Sequence, residues 1–328
     1  MQDYALFVHR IPVGVLGASG YAGRELCALV ASHPRLQLAF ATANEQRGEL
    51  LALPGGRSIA FVAADDAPLN KAHLIFSALP HGASRPVVQR AREAGAKVVD
   101  LSSDYRPGHA AADGTPYGLT EATRATVRDA HLVANPGCYA TAILLALWPL
   151  AAKGLLVPGA TVHAAAASGV SGAGNSPKRE LLFGEITENF RAYATGNTHR
   201  HVAEMRETML GFGADVDLLF TPHLLPVARG ILATITVPVT HIDDDPATPW
   251  RTHYAGERFI EVSDTPPALH EVAHRNVVRI FAQHVVGVRR PTLLVLSAID
   301  NLVKGAAGQA LQNANLMLGL DEAAGLPA

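Results

Sequence analysis

The run Ile11-Pro12-Val13-Gly14-Val15-Leu16-Gly17-Ala18-Ser19-Gly20-Tyr21-Ala22-Gly23 decides the fold. It begins as an apolar stretch of strand length, Ile11 to Leu16, and ends in glycines spaced by three, Gly17, Gly20 and Gly23. From Arg24 to His33 the apolar residues recur at helical spacing, with Leu26, Leu29 and Val30 on one face. Strand, glycine turn and helix in that order open a βαβ unit. Glycines there allow a tight turn and let backbone N–H groups approach a pyrophosphate at the helix N-terminus. The same triplet also suits a plain turn that packs a helix closely on a strand. On the dinucleotide reading, Gly17, Gly20 and Gly23 bind the cofactor.

The pattern continues outward. Leu36–Thr42, His73–Leu79 and Lys97–Leu101 read as strands, and Ser84–Ala94 as a helix. The end of the second strand usually carries an acid for a ribose 2′-OH. Here it reads Thr42-Ala43-Asn44, with Arg47 just beyond. The missing acid and Arg47 favour NADP over NAD, although Arg47 also reads as a surface charge. Pro80, in Leu79-Pro80-His81-Gly82, follows a strand at its C-terminal end, where cofactors bind. A second pattern follows the apolar run Ala140–Ala152. The segments 160–167, 217–221, 231–240, 258–262, 276–283 and 292–300 look like strands with few helices between them. Gly305–Leu318 reads as a helix whose Ala306, Leu311, Ala314 and Leu318 pack back on the first domain. The fold class expected is α/β: a Rossmann-type doubly wound parallel sheet domain plus an α+β domain with a mixed or antiparallel sheet. Residues 1–138, completed by 305–328, form the cofactor domain, and residues 139–304 the catalytic and oligomerisation domain. Asp243-Asp244-Asp245-Pro246 reads as a solvated hairpin tip.

Bulk properties narrow the function. The chain has 328 residues, 48% of them hydrophobic, and a formal net charge of −2, which suggests about two domains with ample core. That charge offers no basic face for nucleic acid or a membrane surface. Pro149 and Lys153, and Pro226 and Arg229, cut the most apolar stretches, so no transmembrane helix is expected. Met1 to Arg10 lacks a basic segment followed by an apolar one, so no signal peptide is expected. Two cysteines, Cys27 and Cys138, rule out a disulfide framework and fit a reducing cytoplasm.

The chemistry centres on Cys138 in Asn135-Pro136-Gly137-Cys138-Tyr139-Ala140-Thr141. A Pro-Gly turn followed by a helical run puts the sulfur at a helix N-terminus, where the dipole favours a thiolate. A lone cysteine is more often a buried, inert hydrophobe; the turn and its companion motifs reverse that reading. In Tyr193-Ala194-Thr195-Gly196-Asn197-Thr198-His199-Arg200-His201-Val202-Ala203-Glu204, an extended backbone points His199 and His201 the same way, and Glu204 stands ready to orient one of them. A histidine there can exchange protons near neutral pH. A metal would need a third and fourth ligand that the sequence does not supply, so no metal is expected. Ser168-Gly169-Val170-Ser171-Gly172-Ala173-Gly174 is a loop of small residues suited to a phosphate or carboxylate, or a flexible hairpin. Arg229, beside Gly230, reads as a clamp for an anionic substrate group or as a partner for a carboxylate. The chain contains no Gly-x-Ser-x-Gly elbow, which disfavours a serine hydrolase.

Taken together, these segments resemble the N-acetyl-gamma-glutamyl-phosphate reductases, NADP-dependent enzymes of arginine biosynthesis. The matching runs are 17–23, 135–141, 168–174, His199-Arg200-His201, 220–226, 229–231 and 298–310, in family order. The resemblance implies an aspartate-semialdehyde dehydrogenase-like fold, a C-terminal helix returning to the nucleotide domain, NADP(H) as cofactor, and a homodimer or homotetramer. It implies Cys138 as nucleophile and His199 as acid/base, with Tyr193, His201 and Glu204 around it. It also implies Asn313 facing the cofactor. Ser19, Tyr21, Ser168 and Gly169 join the cofactor set, and Arg106, Ser171 and Arg229 the substrate set. The substrate implied is a small acyl phosphate, converted to a semialdehyde and inorganic phosphate through a cysteine thioester. A lysine-branch acyl-phosphate reductase, an aspartate-semialdehyde dehydrogenase and an NADP-sensing scaffold are the alternatives. Asn175-Ser176 replaces a basic residue common in the family, and Ala203 a proline.

Overall fold

The computed structural model describes residues 10–109 and 114–327. Except for Arg10, the segment Met1 to Arg10 lies outside the described residues.

The first sheet contains β1 (Ile11–Leu16), β2 (Leu36–Thr42), β3 (Leu50–Leu53), β4 (Arg57–Val62), β5 (Leu74–Ser77), β6 (Lys97–Asp100) and β7 (Leu132–Ala134), in the order β3-β4-β2-β1-β5-β6-β7. All neighbours run parallel except β3 and β4, a hairpin. Helices α1 (Tyr21–Ser32), α2 (Ser84–Glu93) and α3 (Thr120–Arg128) connect these strands. Because successive strand residues face opposite sides, each strand feeds two cores. Val13, Val15, Leu74 and Phe76 pack with Leu26, Leu29 and Val30 of α1. Leu16, Ile75 and Val98 pack with Val88 and Ala91 of α2. Burial on both faces is why these strands read as unbroken apolar runs. β1 stands between β2 and β5, so the strand order reverses there and opens a crevice at its C-terminal end.

Helix α4 (Cys138–Ala152) leads to the second sheet: β8 (Ala160–Gly169), β9 (Arg191–Ala192), β10 (Val216–Leu225), β11 (Ile231–Pro238), β12 (Ile260–Val262), β13 (Val278–His284) and β14 (Thr292–Ile299). Their order is β12-β13-β14-β11-β8-β10-β9. The pairs β8–β10 and β12–β13 are parallel and the rest antiparallel, a mixed sheet. Helices α5 (Phe183–Ile186), α6 (His201–Gly211) and α7 (Thr248–His253) complete this half. Helix α4 is apolar on nearly all sides because it is enclosed: Ile143, Leu144 and Leu147 pack against Ala164, Ile235, Ile280 and Val295 of the sheet. The opposite sheet face stays open, with Leu219 exposed and Leu232, Phe281, Leu294 and Leu296 half-buried. After β14 one π-helical turn (Val303–Ala307) runs into α8 (Gly308–Met317). Leu311 and Ala314 of α8 join the α1 side of the first sheet, whereas Ala306 faces the cleft between the halves. Among the described residues no helix is long and apolar enough to cross a membrane.

Two local expectations change. The histidine segment is not extended; turns lead into α6, which begins at His201. The Asp243–Asp245 run is no hairpin tip. It precedes α7, where Asp245 accepts hydrogen bonds from Ala247 N–H at 2.9 Å and from Arg251 at 3.0 Å.

Candidate active site

A cleft of about 1440 Å³ lies between the halves, lined by the glycine loop, the Cys138 turn and the His199–His201 segment. The glycine loop has the shape a dinucleotide needs. Gly17 has φ +72°, and a Cβ there would lie 2.5 Å from the Ala78 carbonyl oxygen. A Cβ on Gly23 would lie 2.3 Å from the Gly17 oxygen, so this glycine lets α1 close on the turn. At Gly20 the nearest atom is 3.6 Å away, leaving the N-terminus of α1 open for close approach. Ser19, Tyr21, Pro80, Ser168 and Gly169 also line the cleft. Asn175 donates a hydrogen bond at 2.9 Å to the Ser19 carbonyl, tying the second glycine–serine segment to the first. That segment is the end of β8 followed by a 3-10 turn (Val170–Ala173) rather than a free loop. Arg47 does not line the cleft; it is largely exposed and lies 3.9 Å from Asp66. Thr42, Asn44, Glu45 and Gln46 form the wall there.

Cys138 is the first residue of α4 and half-buried in the cleft. Its turn is held from behind. The Gly137 N–H donates to Glu204 Oε1 at 2.8 Å, and the Tyr117 hydroxyl donates to the same oxygen at 2.6 Å. Arg106 lies 3.4 Å from Glu204 Oε2, donates to Asn135 O at 2.8 Å and to Leu101 O at 2.7 Å, and is almost fully buried. A Cβ on Gly137 would lie 2.4 Å from His201 Nε2, and one on Gly305 would lie 2.8 Å from Cys138 Cβ. Both glycines permit the close approach that seats the thiol.

The His201 N–H donates to His199 Nδ1 at 3.1 Å. Nδ1 is therefore an acceptor, and a neutral His199 carries its proton on Nε2. Burial, and secondarily the Arg200 charge, bring the His199 pKa down to about 4. Burial and then Arg106 push His201 well below its ordinary value. Tyr193 and Tyr139 exchange a hydroxyl hydrogen bond at 3.0 Å beside His199, and burial raises Tyr193 to about 12. For Cys138, burial pushes the thiol up, while Arg200, Arg106 and the Tyr139 N–H pull it down. The helix-terminal effect expected from sequence is thus opposed by desolvation.

These histidines fix the sign of one pH effect. The unfolded chain takes up the His199 proton near pH 6.5, the fold only near 4. Stability present above pH 6.5 is therefore lost as pH falls toward 4, by about 2 kcal/mol between pH 7 and 5. Thermal midpoints should fall less steeply over that range in His199→Asn than in the parent. Equal slopes would remove His199 as a source of the effect.

Three sequence expectations meet different surroundings. Arg229 lies outside the cleft lining, with its guanidinium 2.5 Å from Glu25 and 3.5 Å from Asp300, so it links α1 to the end of β14. Asn313 is fully buried, bonded to Thr120, the Gly118 carbonyl and Asn135, and braces the turn from behind rather than facing the cleft. Ser171 lines the cleft, but its hydroxyl donates to Ala228 O at 2.6 Å and accepts from Asn301 at 2.9 Å. His81, beside Pro80 in the segment read for the cofactor, stands in the cleft wall, and two residues not given a role from sequence also enter: Arg200 in the cleft wall and Gly305 behind the sulfur. Arg200 stood between two histidines, but its residue type alone carried no signal.

Comparison with known proteins adds two family matches. The semialdehyde dehydrogenase NAD binding domain matches residues 12–130, and the semialdehyde dehydrogenase dimerisation domain residues 138–301. The chain is 41% identical to an N-acetyl-gamma-glutamyl-phosphate reductase of Halorhodospira halophila, over 96% of this chain and 98% of that one. It is 39% identical to one of Neisseria meningitidis serogroup C, over 97% and 98%. Among solved structures, aspartate semialdehyde dehydrogenase II from Vibrio cholerae, complexed with ASA, superposes with a TM-score of 0.79 at 18% identity, over 95% of this chain and 99% of that one. A probable aspartate-semialdehyde dehydrogenase from Pseudomonas aeruginosa superposes with a TM-score of 0.76 at 22% identity, over 94% and 99%. At those identities the likeness concerns the fold.

Proposed function

The chain belongs to the semialdehyde dehydrogenase family, among the N-acetyl-gamma-glutamyl-phosphate reductases, and from that premise we propose the following reaction and roles. The enzyme reduces N-acetyl-glutamyl 5-phosphate to N-acetyl-glutamate 5-semialdehyde, releasing inorganic phosphate, in arginine biosynthesis. The observation that carries this reading is a half-buried thiol at the N-terminus of α4, in the same cleft as an open glycine loop and a neutral histidine.

The Cys138 sulfur attacks the acyl carbon. It attacks as the thiolate: a C–S bond forms, the C–O bond to phosphate breaks, and phosphate leaves with the electron pair and takes up from solvent the proton that the thiol gave up. Glu204, through the Gly137 N–H, keeps the turn from moving as the sulfur changes partners. The His199 Nε2–H donates a hydrogen bond to the substrate carbonyl oxygen and stabilises the negative charge that gathers there. Gly17, Ser19, Gly20, Tyr21 and Gly23, with Pro80, Ser168 and Gly169 alongside, would hold NADPH, which when bound would supply the hydride for the thioester carbon. When the carbonyl re-forms, the C–S bond breaks and the electron pair returns to sulfur. His199 thus works as a donor, a narrower role than the acid/base expected from sequence, because its Nδ1 is already engaged.

NADP rather than NAD is favoured by the missing acid at Thr42, the end of β2. Residues 1–138 with 305–328 are the proposed cofactor domain, supported by the position of α8 against α1. The open apolar face of the second sheet is the proposed contact with a second copy, supported by its half-buried leucines. A reducing cytoplasm would keep Cys138 a free thiol.

The deciding assay runs backward: semialdehyde, phosphate and NADP or NAD, followed by the absorbance of the reduced cofactor. Reduction should require phosphate, run faster with NADP, and favour the N-acetyl-glutamyl over the aspartyl semialdehyde. Reduction without phosphate, or an aspartyl preference, would overturn the assignment.

A further inference from the structure

Chemistry demands a cation close to Cys138. The acyl carbon is bonded first to the phosphate oxygen and then to sulfur, so the doubly charged leaving group sits within about two bonds of the thiol when the C–S bond forms. Arg106 is the obvious candidate by residue type and also lines the cleft, but its donors are engaged by Glu204, Asn135 O and Leu101 O, and it is almost fully buried. Arg229 is engaged by Glu25 and Asp300 outside the cleft. Arg191, also in the cleft wall, donates to Glu180 O at 3.2 Å.

Arg200 differs. It lines the cleft with Cys138, is solvent-accessible, and has no hydrogen-bond or ion-pair partner among the described residues. It is the N-cap of α6, directly between His199, which faces Tyr139 and Tyr193, and His201, which packs against Gly137. Arg200 therefore puts an unpaired guanidinium in the same cleft as the nucleophile. Its charge is the largest of the influences that favour a Cys138 thiolate, and it also acts on His81, His199 and Tyr193. Lys178, which also lines the cleft, is not among the charges acting on any of these groups.

We propose that Arg200 is the phosphate anchor of the site: its guanidinium holds the phosphoryl group of the acyl phosphate and then the inorganic phosphate released when the C–O bond breaks. This rests on the reading of Cys138 as the acyl acceptor. The planar fork of Arg matches two phosphate oxygens at once.

The test uses Arg200→Gln and Arg200→Lys in the full chain. One readout needs no turnover: the rate at which Cys138 is alkylated by anionic iodoacetate relative to neutral iodoacetamide, with and without inorganic phosphate. Cys27 is fully buried and silent. The parent should prefer the anion and be protected by phosphate. Arg200→Gln should lose about tenfold of that preference together with the protection, and Arg200→Lys should keep part of both. The second readout is the backward assay, in which KM for phosphate should rise about 10- to 100-fold in Arg200→Gln, as for loss of a charged hydrogen bond, with KM for the semialdehyde little changed. Unchanged phosphate protection and KM would overturn the proposal, as would an effect confined to the semialdehyde, which would make Arg200 a carboxylate ligand. Failure of the parent to turn over would instead sink the reaction assigned above, and the alkylation ratio would still report on Arg200.

Discussion

Cys138→Ser should lose roughly 10⁴-fold or more of turnover in both directions while cofactor affinity stays within about twofold. The substitution exchanges one atom at the first residue of α4 and leaves the turn, Gly305 and the glycine loop undisturbed. What it removes is an ionisable nucleophile. Burial already opposes ionisation at this position, and only Arg200, Arg106 and the Tyr139 N–H favour it. A hydroxyl starts several pKa units higher than a thiol, so the same surroundings leave essentially no alkoxide at neutral pH. Cofactor titration by fluorescence checks that the cleft is intact, and mass spectrometry of the parent incubated with acyl phosphate but no cofactor should find the acyl group on Cys138. Turnover of the serine variant at parental rate would end the thioester account.

Glu204→Ala carries the largest expected cost in stability, about 3–5 kcal/mol, because it leaves a buried cation without its carboxylate. Glu204 is fully buried and receives Gly137 N–H, the Tyr117 hydroxyl and Arg106. Removing it strands all three donors and frees the turn that aims the sulfur, so kcat should fall with the denaturation midpoint. Glu204→Gln keeps an oxygen for Gly137 and Tyr117 and should recover part of both losses. A Glu204→Ala protein as stable as its parent would show that the three donors find water instead.

The strands were legible where burial imposes a simple pattern. β2 was read to the residue, Leu36–Thr42, because it ends in a run buried on both sides. β11 was read because its residues alternate between a buried and an open face. The β3–β4 hairpin is not legible although Leu50–Leu53 and Ile59–Val62 are apolar, because only Leu51 and Phe61 are buried and neither strand shows a clean alternation. α6 is hard to read because its short stripe of Val202, Met205 and Met209 shares the buried face with polar His201, Glu204 and Thr208, which blur the helical period. The site divides the same way. Cys138 and the glycines announced themselves by local spacing. Arg229 and Glu204 took their roles from Glu25, Asp300, Tyr117 and Gly137, partners far away in sequence that no spacing rule reveals.

The return of α8 to the first sheet also sets a timetable for synthesis. The seven strands of that sheet are complete by Ala134, yet Leu311 and Ala314 cover the same side as α1. While the ribosome is still making the intervening chain, that side of the sheet remains partly bare. The first domain to emerge is therefore among the last to close, and its uncovered apolar side is what a chaperone would meet on the nascent chain.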